Sequence, residues 1–270
     1  MSSHESSSVI PARVAQNETF ERLARAGFVV SGLLHLVVGY LAIRIAFGEG
    51  GTADQTGALA TLAGTPGGPV ALWFAAAALL LLGLWRLVEA ALGRSSDHRN
   101  GSSSGALDRA KAFALAVLYI ALAYSTLGFA RGAGKSAGQQ NSTISARLMQ
   151  STAGTVALVL CGVIVVAVGG YHVYKGASRN FVDDLKGKSG NMVRRLGVVG
   201  YVAKGVVIAA AGALVVLAAL RSEPQKATGL DGALKTLGAQ PYGPVLLVAA
   251  GLGIVTYGLY SFAMARLTKM

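Results

Sequence analysis

The chain has 270 residues, 53% of them hydrophobic and only 13% charged, about half the charged share of an ordinary soluble domain. That leaves too little polar surface for a water-soluble protein. Its 24 Lys and Arg against 12 Asp and Glu give +12, a surplus that could indicate nucleic acid. Here the basic residues flank apolar blocks and fall mostly on alternate loops, as they do where they hold helices against an anionic leaflet. No nucleic-acid or nucleotide partner is expected.

Residues 1–21 are polar and read as a disordered cytoplasmic tail. No cleavable signal is expected, because the first apolar block is long enough to span and would act as an uncleaved anchor. Six runs meet the length needed for a bilayer-crossing helix, in which every backbone group is satisfied internally. They are Ala26 to Phe47, Val70 to Leu92, Ala112 to Ala130, Gly154 to Tyr174, Val198 to Leu220 and Val245 to Leu267. Between them, 95–108 is a Ser/Asn/Gly-rich linker, and 178–194 mixes Lys, Asp and Gly without periodicity. Both read as flexible connectors. The single cysteine, Cys161, lies within an apolar run and reads as inert packing, so neither an intramolecular disulfide nor a thiolate cluster is available.

Orientation follows from the basic residues, which concentrate on cytoplasmic segments. Arg13, Arg22 and Arg25, then Arg94, Arg99, Arg109 and Lys111, then Lys175, Arg179, Lys186, Lys188, Arg194 and Arg195, and finally Arg266 and Lys269 all fall on one side. The other side has Arg131, Lys135, Arg147, Arg221, Lys226 and Lys235. Both termini are therefore expected in the cytoplasm.

Laid on itself, the chain repeats. Arg22-Leu23, Gly27-Phe28, Gly32 and Gly39 recur with identical spacing as Arg195-Leu196, Gly200-Tyr201, Gly205 and Gly212. Gly57-Ala58-Leu59-Ala60-Thr61-Leu62 recurs as Gly232-Ala233-Leu234-Lys235-Thr236-Leu237, Pro66 to Val70 as Pro241 to Val245, and Gly83-Leu84-Trp85 as Gly258-Leu259-Tyr260. A diverged middle copy aligns Arg109 with Arg25, Ala116 and Ala123 with Gly32 and Gly39, Tyr119 with His35, and Gly154, Gly169 and Tyr171 with Gly68, Gly83 and Trp85. The expected fold is an all-α membrane protein of three parallel two-helix repeats, 22–94, 109–177 and 195–270, with pseudo-threefold symmetry about the membrane normal. Gly27, Gly32, Gly39, Gly200, Gly205 and Gly212 would let helix backbones approach closely. The external Gly-Ala-Leu-x-Thr-Leu segments read as short interfacial helices ended by the Pro-Gly break.

This pattern of Arg…Gly…Gly…Gly odd helices and Gly-Ala-Leu…Pro-x-Gly…Trp/Tyr even helices resembles a bacterial membrane-protein family with a triplicated domain of unknown function, found mainly in high-GC Gram-positive bacteria. The resemblance runs from Arg22 to Leu267. It implies a plasma-membrane address and no particular activity or cofactor. Mitochondrial carriers also combine three repeats with six helices, but their odd helices carry a proline-based kink motif, and no odd helix here contains proline.

Ionisable residues inside the hydrocarbon are functional candidates by default. His35, mid-span, could relay a proton, hydrogen-bond a quinone or lipid headgroup, or ligate haem, although haem would want a second histidine at similar depth and none exists. The bland alternative is an interhelical hydrogen bond. His172 sits near the end of its span; Arg86 and Glu89, three apart, can neutralise each other on one helix face. Lys204 and Arg44 can snorkel to the nearer interface. Tyr119 completes the set of possible intramembrane polar groups. Gly132-Ala133-Gly134-Lys135-Ser136 imitates a phosphate loop but has Phe129 where the motif needs glycine and lacks a preceding strand. No paired carboxylates, His-Glu-x-x-His or Gly-x-Ser-x-Gly occur in the spans, so no metal site and no enzyme is expected. The leading expectation is a structural, assembly or accessory component whose partner is the bilayer together with another membrane protein or a second copy. The competing one is a transporter, channel, or lipid- or quinone-binding protein with a site between the repeats.

Overall fold

The computed structural model describes residues 9–92, 105–186 and 190–268, with side chains described over 25–91, 109–186 and 190–268. The described residues are almost entirely helical: α1 (Val9–Ala46), α2 (Gln55–Ala63), α3 (Gly68–Leu92), α4 (Gly105–Ala130), α5 (Ala137–Leu148), α6 (Thr152–Ala177), α7 (Asn191–Leu220), α8 (Leu230–Gly238) and α9 (Gly243–Leu267). Six stretches are long and apolar enough to cross a membrane: Arg25–Ala46, Gly68–Ala91, Arg109–Ala130, Thr152–Ala177, Asn191–Leu220 and Gly243–Leu267. The protein is a multi-pass membrane protein built from a triplicated pattern.

The short helices α2, α5 and α8 each precede the second span of a repeat, and the turn joining them needs a glycine. A Cβ on Gly68 would strike the carbonyl of Leu62, one on Gly154 that of Leu148, and one on Gly243 that of Gly238. The middle copy adds a cap, the Ser151 hydroxyl accepting the Gly154 N–H at 3.1 Å.

The chain divides into two compact units that cut across the sequence repeats. One comprises 56–136, with α3 packed along α4; the other comprises 1–55 and 137–270, where α6 packs along α7, α1 along α9, and α7 against α9. The long-helix pairs thus join the second helix of one repeat to the first helix of another. In α1 and α9 the seam is Gly39 against Gly251 and Gly32 against Gly258: a Cβ on Gly39 would lie 2.6 Å from the Gly251 carbonyl oxygen, and one on Gly258 2.9 Å from that of Gly32. In α6 and α7 it is Gly162 against Gly212 and Gly169 against Gly205, with a Gly205 Cβ 2.6 Å from the Gly169 oxygen. In α3 and α4, Gly83 meets Ile120 and the Ala116 carbonyl, while Ala76 and Ala123 are buried. Small residues recurring at sevens let antiparallel backbones touch, replacing side-chain volume by main-chain packing.

Several expectations are revised. Residues 9–21 are the first turns of α1 and not a disordered tail; residues 1–8 and 93–104 lie outside the described residues. The 178–194 segment is no flexible connector across its described part. It forms a 3-10 helix at Asn180–Asp184, buries Phe181 and Leu185, and is tied to the end of α9 by a Leu185–Thr268 bridge and a Lys186 N–H donated to the Leu267 carbonyl at 2.5 Å. Cys161 is exposed on α6 and not part of the packed interior. A Cβ on Gly27 would meet nothing within 4 Å, so it serves no close approach.

Candidate functional site

The larger unit has an aliphatic half and an aromatic half. Near α8, Val38, Leu41, Ala42, Val207, Leu247 and Ile254 form one core cluster; near the 3-10 helix, Phe181, Leu185, Tyr201, Tyr257, Tyr260 and Met264 form another. The second cluster arises because glycines make space for rings. Gly197 of α7 lies under the Phe181 ring, Gly200 abuts the backbone of Tyr257, and a Cβ on Gly176 of α6 would sit 2.9 Å from Tyr201. Phe181 and Tyr201 stack with centroids 5.5 Å apart, Phe181 meets Tyr260 edge-on at 5.3 Å, and Tyr201 meets Tyr257 edge-on at 5.2 Å, the offset arrangements that ring quadrupoles favour.

Two of the six polar candidates lie against this cluster from deeper in the span. The His35 ring is 4.8 Å from the Tyr257 ring, and Lys204 Nζ is 4.0 Å from the same centroid. Lys204 does not snorkel to the interface; it spends its charge on the face of Tyr257, an arrangement that strengthens when desolvated. His172 joins from α6, 5.9 Å from Tyr201, and Lys175, one turn of α6 further along, reaches the Tyr201 face at 5.6 Å while pairing with Asp184 at 2.7 Å. The histidines have half of their hydrogen-bonding capacity met locally: Nδ1–H of His35 donates to the Ser31 carbonyl at 2.7 Å, and that of His172 to the Val168 carbonyl at 2.8 Å. That tautomer leaves each Nε2 with its lone pair.

Tyr119, Arg86 and Glu89 are in the other unit. Arg86 donates to Glu89 at 2.6 Å, and Arg131 covers the Trp73 ring at 5.3 Å. Arg44 forms an ion pair with Glu49 beside the Tyr40 ring. Of the glycines, Gly32 and Gly39 approach α9, Gly205 and Gly212 approach α6, and Gly200 approaches Tyr257.

The sequence reading missed Phe181, Tyr201, Tyr257 and Tyr260, whose signal was aromatic residues set three apart inside a span and a lone Phe in a polar loop. It also missed Asp54 and Asp231, both buried at the α8 end; Asp231 accepts the Ala53 N–H at 2.8 Å and pairs with Lys235 at 2.7 Å. Among the described residues no group of three His, Cys, Asp or Glu could hold a metal ion. The aromatic array holds cations that already belong to the chain, Lys204 on Tyr257 and Lys175 on Tyr201.

A family described as Domain of Unknown Function (DUF1206) matches three times, at residues 26–93, 110–179 and 199–268. A Bacillus subtilis (strain 168) relative named "Uncharacterized protein YxxB" is 29% identical over 248 residues, which cover 89% of this chain and 88% of the relative. No solved structure matches.

Proposed function

The chain belongs to the Domain of Unknown Function (DUF1206) family, and from that premise we propose that it is a non-enzymatic structural, assembly or accessory component of the plasma membrane with both termini in the cytoplasm. One observation carries the reading: the polar candidates that converge, His35, Lys204 and His172, do so on a closely packed aromatic cluster, with Tyr201 and Tyr257 each 7% exposed, Tyr260 1% and Phe181 0%. The side rich in Lys and Arg supports the orientation. The contact of His35 and Lys204 with Tyr257 favours a second reading, a transporter or a lipid- or quinone-binding protein.

Native mass spectrometry of the full chain in mild detergent, wild type beside His35→Ala, separates the two. The accessory role expects no small-molecule adduct that depends on His35 and the same oligomer or partner spectrum in both. A small molecule held by wild type and lost from His35→Ala overturns it in favour of the binding reading.

A further inference from the structure

We propose that His35 and Lys204 form a proton-binding site, in which a proton taken up at His35 Nε2 sets a second cation against the Tyr257 ring that Lys204 already occupies and loosens the packing of α1 and α7 on α9. The inference stands apart from the accessory role, which a His35 that never takes up a proton would leave untouched.

The site is built where three helices meet at one level. Helices α1 and α9 run antiparallel along the Gly32–Gly258 and Gly39–Gly251 seam, and α7 and α9 do so where Gly200 abuts Tyr257 and Ala203 abuts Gly253. These two registers bring residues 35, 204 and 257 together: the His35 ring lies 4.8 Å and Lys204 Nζ 4.0 Å from the Tyr257 centroid. A backbone carbonyl can only accept, so the nitrogen 2.7 Å from the Ser31 oxygen, Nδ1, carries the hydrogen of the neutral imidazole, and Nε2 carries the lone pair. A proton from water forms one N–H bond there, and no other bond is made or broken.

The surroundings of the ring fix how much charge it tolerates. One turn toward α8, the aliphatic side chains of Val38, Val207 and Ile254 are buried against one another. Beyond them lie the buried Asp54 and Asp231, the latter paired with Lys235. In the opposite direction come Tyr201 and Tyr260, then Lys175, whose charge is matched by Asp184, and His172 against Tyr201. Arg25, Arg195 and Arg266 stand between two and three turns away along α1, α7 and α9. Among the described residues, the charge that acts on His35 is therefore that of Lys204, and it has the same sign as an imidazolium. One ring attracts one cation, and two that share it inside a span repel each other with little solvent between them. The unfolded chain holds no such pair and takes up the proton in the ordinary histidine range, so stability is kept above about pH 6.5 and is lost as the pH falls below it.

The test titrates the full chain in mild detergent by NMR of isotope-labelled histidine, from about pH 8 to about pH 3.5, across the ordinary histidine range and below it. The chain has four histidines, and the His35 signal is the one missing from His35→Gln. Lys204→Met is expected to raise the proton affinity of His35 about tenfold, as the removal of a nearby like charge should. Lys204→Arg, which keeps the charge, should leave that affinity within about twofold of wild type, and the His172 signal should stay within about twofold in both variants. Lys204→Gln takes the place of Lys204→Met should the latter not fold. In thermal unfolding between about pH 7.5 and about pH 5, wild type should lose about 3–5 °C more than His35→Gln does, and Lys204→Met should recover most of that extra loss. A His35 signal that does not titrate before the chain unfolds, one that titrates alike in wild type and in the neutral Lys204 variant, or equal acid losses in wild type and His35→Gln overturns the proposal.

Discussion

The α3–α4 unit and the unit containing α9 are cut from the same repeated sequence, but their spans end in different surroundings. In α3, Phe74, Leu81 and Trp85 are 74%, 68% and 67% exposed, whereas in α9 the position matching Trp85 is Tyr260, 1% exposed. A small-residue seam is enough to pair two helices in lipid. Enclosing an interior takes more: here a third and fourth helix, glycines that open room for rings, and a loop that folds back to place Phe181 beneath them.

The largest effect should come from Phe181→Ala, which empties the site on which Tyr201 and Tyr260 rest. About 3–5 kcal/mol should be lost in chemical unfolding in micelles. Trp85→Ala, in the exposed position, should change stability by less than ~0.5 kcal/mol. Comparable losses from the two would mean that the α3 face is also covered, and the contrast would fail.

Next come the seams. Gly39→Ala drives a methyl against a carbonyl oxygen, a main-chain atom that cannot rotate away, and should cost about 2–3 kcal/mol. At Gly83 the nearest atom is a side-chain carbon of Ile120, 2.7 Å from the new Cβ; there the loss should stay near ~1 kcal/mol, reduced by the better helix propensity of alanine. Thermal unfolding of the two variants side by side ranks the seams, and the reverse order would contradict the main-chain contact at Gly39.

A double-mutant cycle on Lys204→Met and Tyr257→Leu should return a coupling of about 1–2 kcal/mol if the ammonium is held by the ring face. Zero coupling would return Lys204 to the interface and remove the polar edge of the larger unit. Smallest is the Arg86–Glu89 pair of the other unit. One turn apart on one helix, it should contribute only ~0.2–0.5 kcal/mol, as judged from Glu89→Gln in the same unfolding assay. A loss as large as that from Phe181→Ala would mean that the pair holds something beyond its own helix.

The spans and the triplication were legible because both are properties of one segment at a time. Twenty apolar residues announce a crossing helix, and Gly32 and Gly39 are seen again as Gly205 and Gly212 at the same separation. Which helix those glycines touch was not legible. A helix apolar on all sides has no face that hydropathy can single out, so a repeat suggests a hairpin packed on itself, while the structure pairs α1 with α9 and α6 with α7. Of the candidate site, His35 and Lys204 stood out as expensive residues in a membrane. Their shared partner Tyr257 did not, since tyrosine in a span reads as an interface anchor. Phe181 was hidden by its neighbours: a segment of Lys, Asp and Gly looks solvated until its one aromatic side chain is placed.

The seam of Gly39 with Gly251 has a consequence for biogenesis. The α3–α4 pair joins helices adjacent in the chain and can close as soon as α4 has been inserted. By contrast, α1 leaves the ribosome well before α9, so the glycine face of α1 stays without its final neighbour while the spans between them are made. Such widely separated contacts close late and slowly. A chain stopped before Gly243 would carry the α3–α4 and α6–α7 pairs intact and an unmatched α1, the form on which membrane quality control would act.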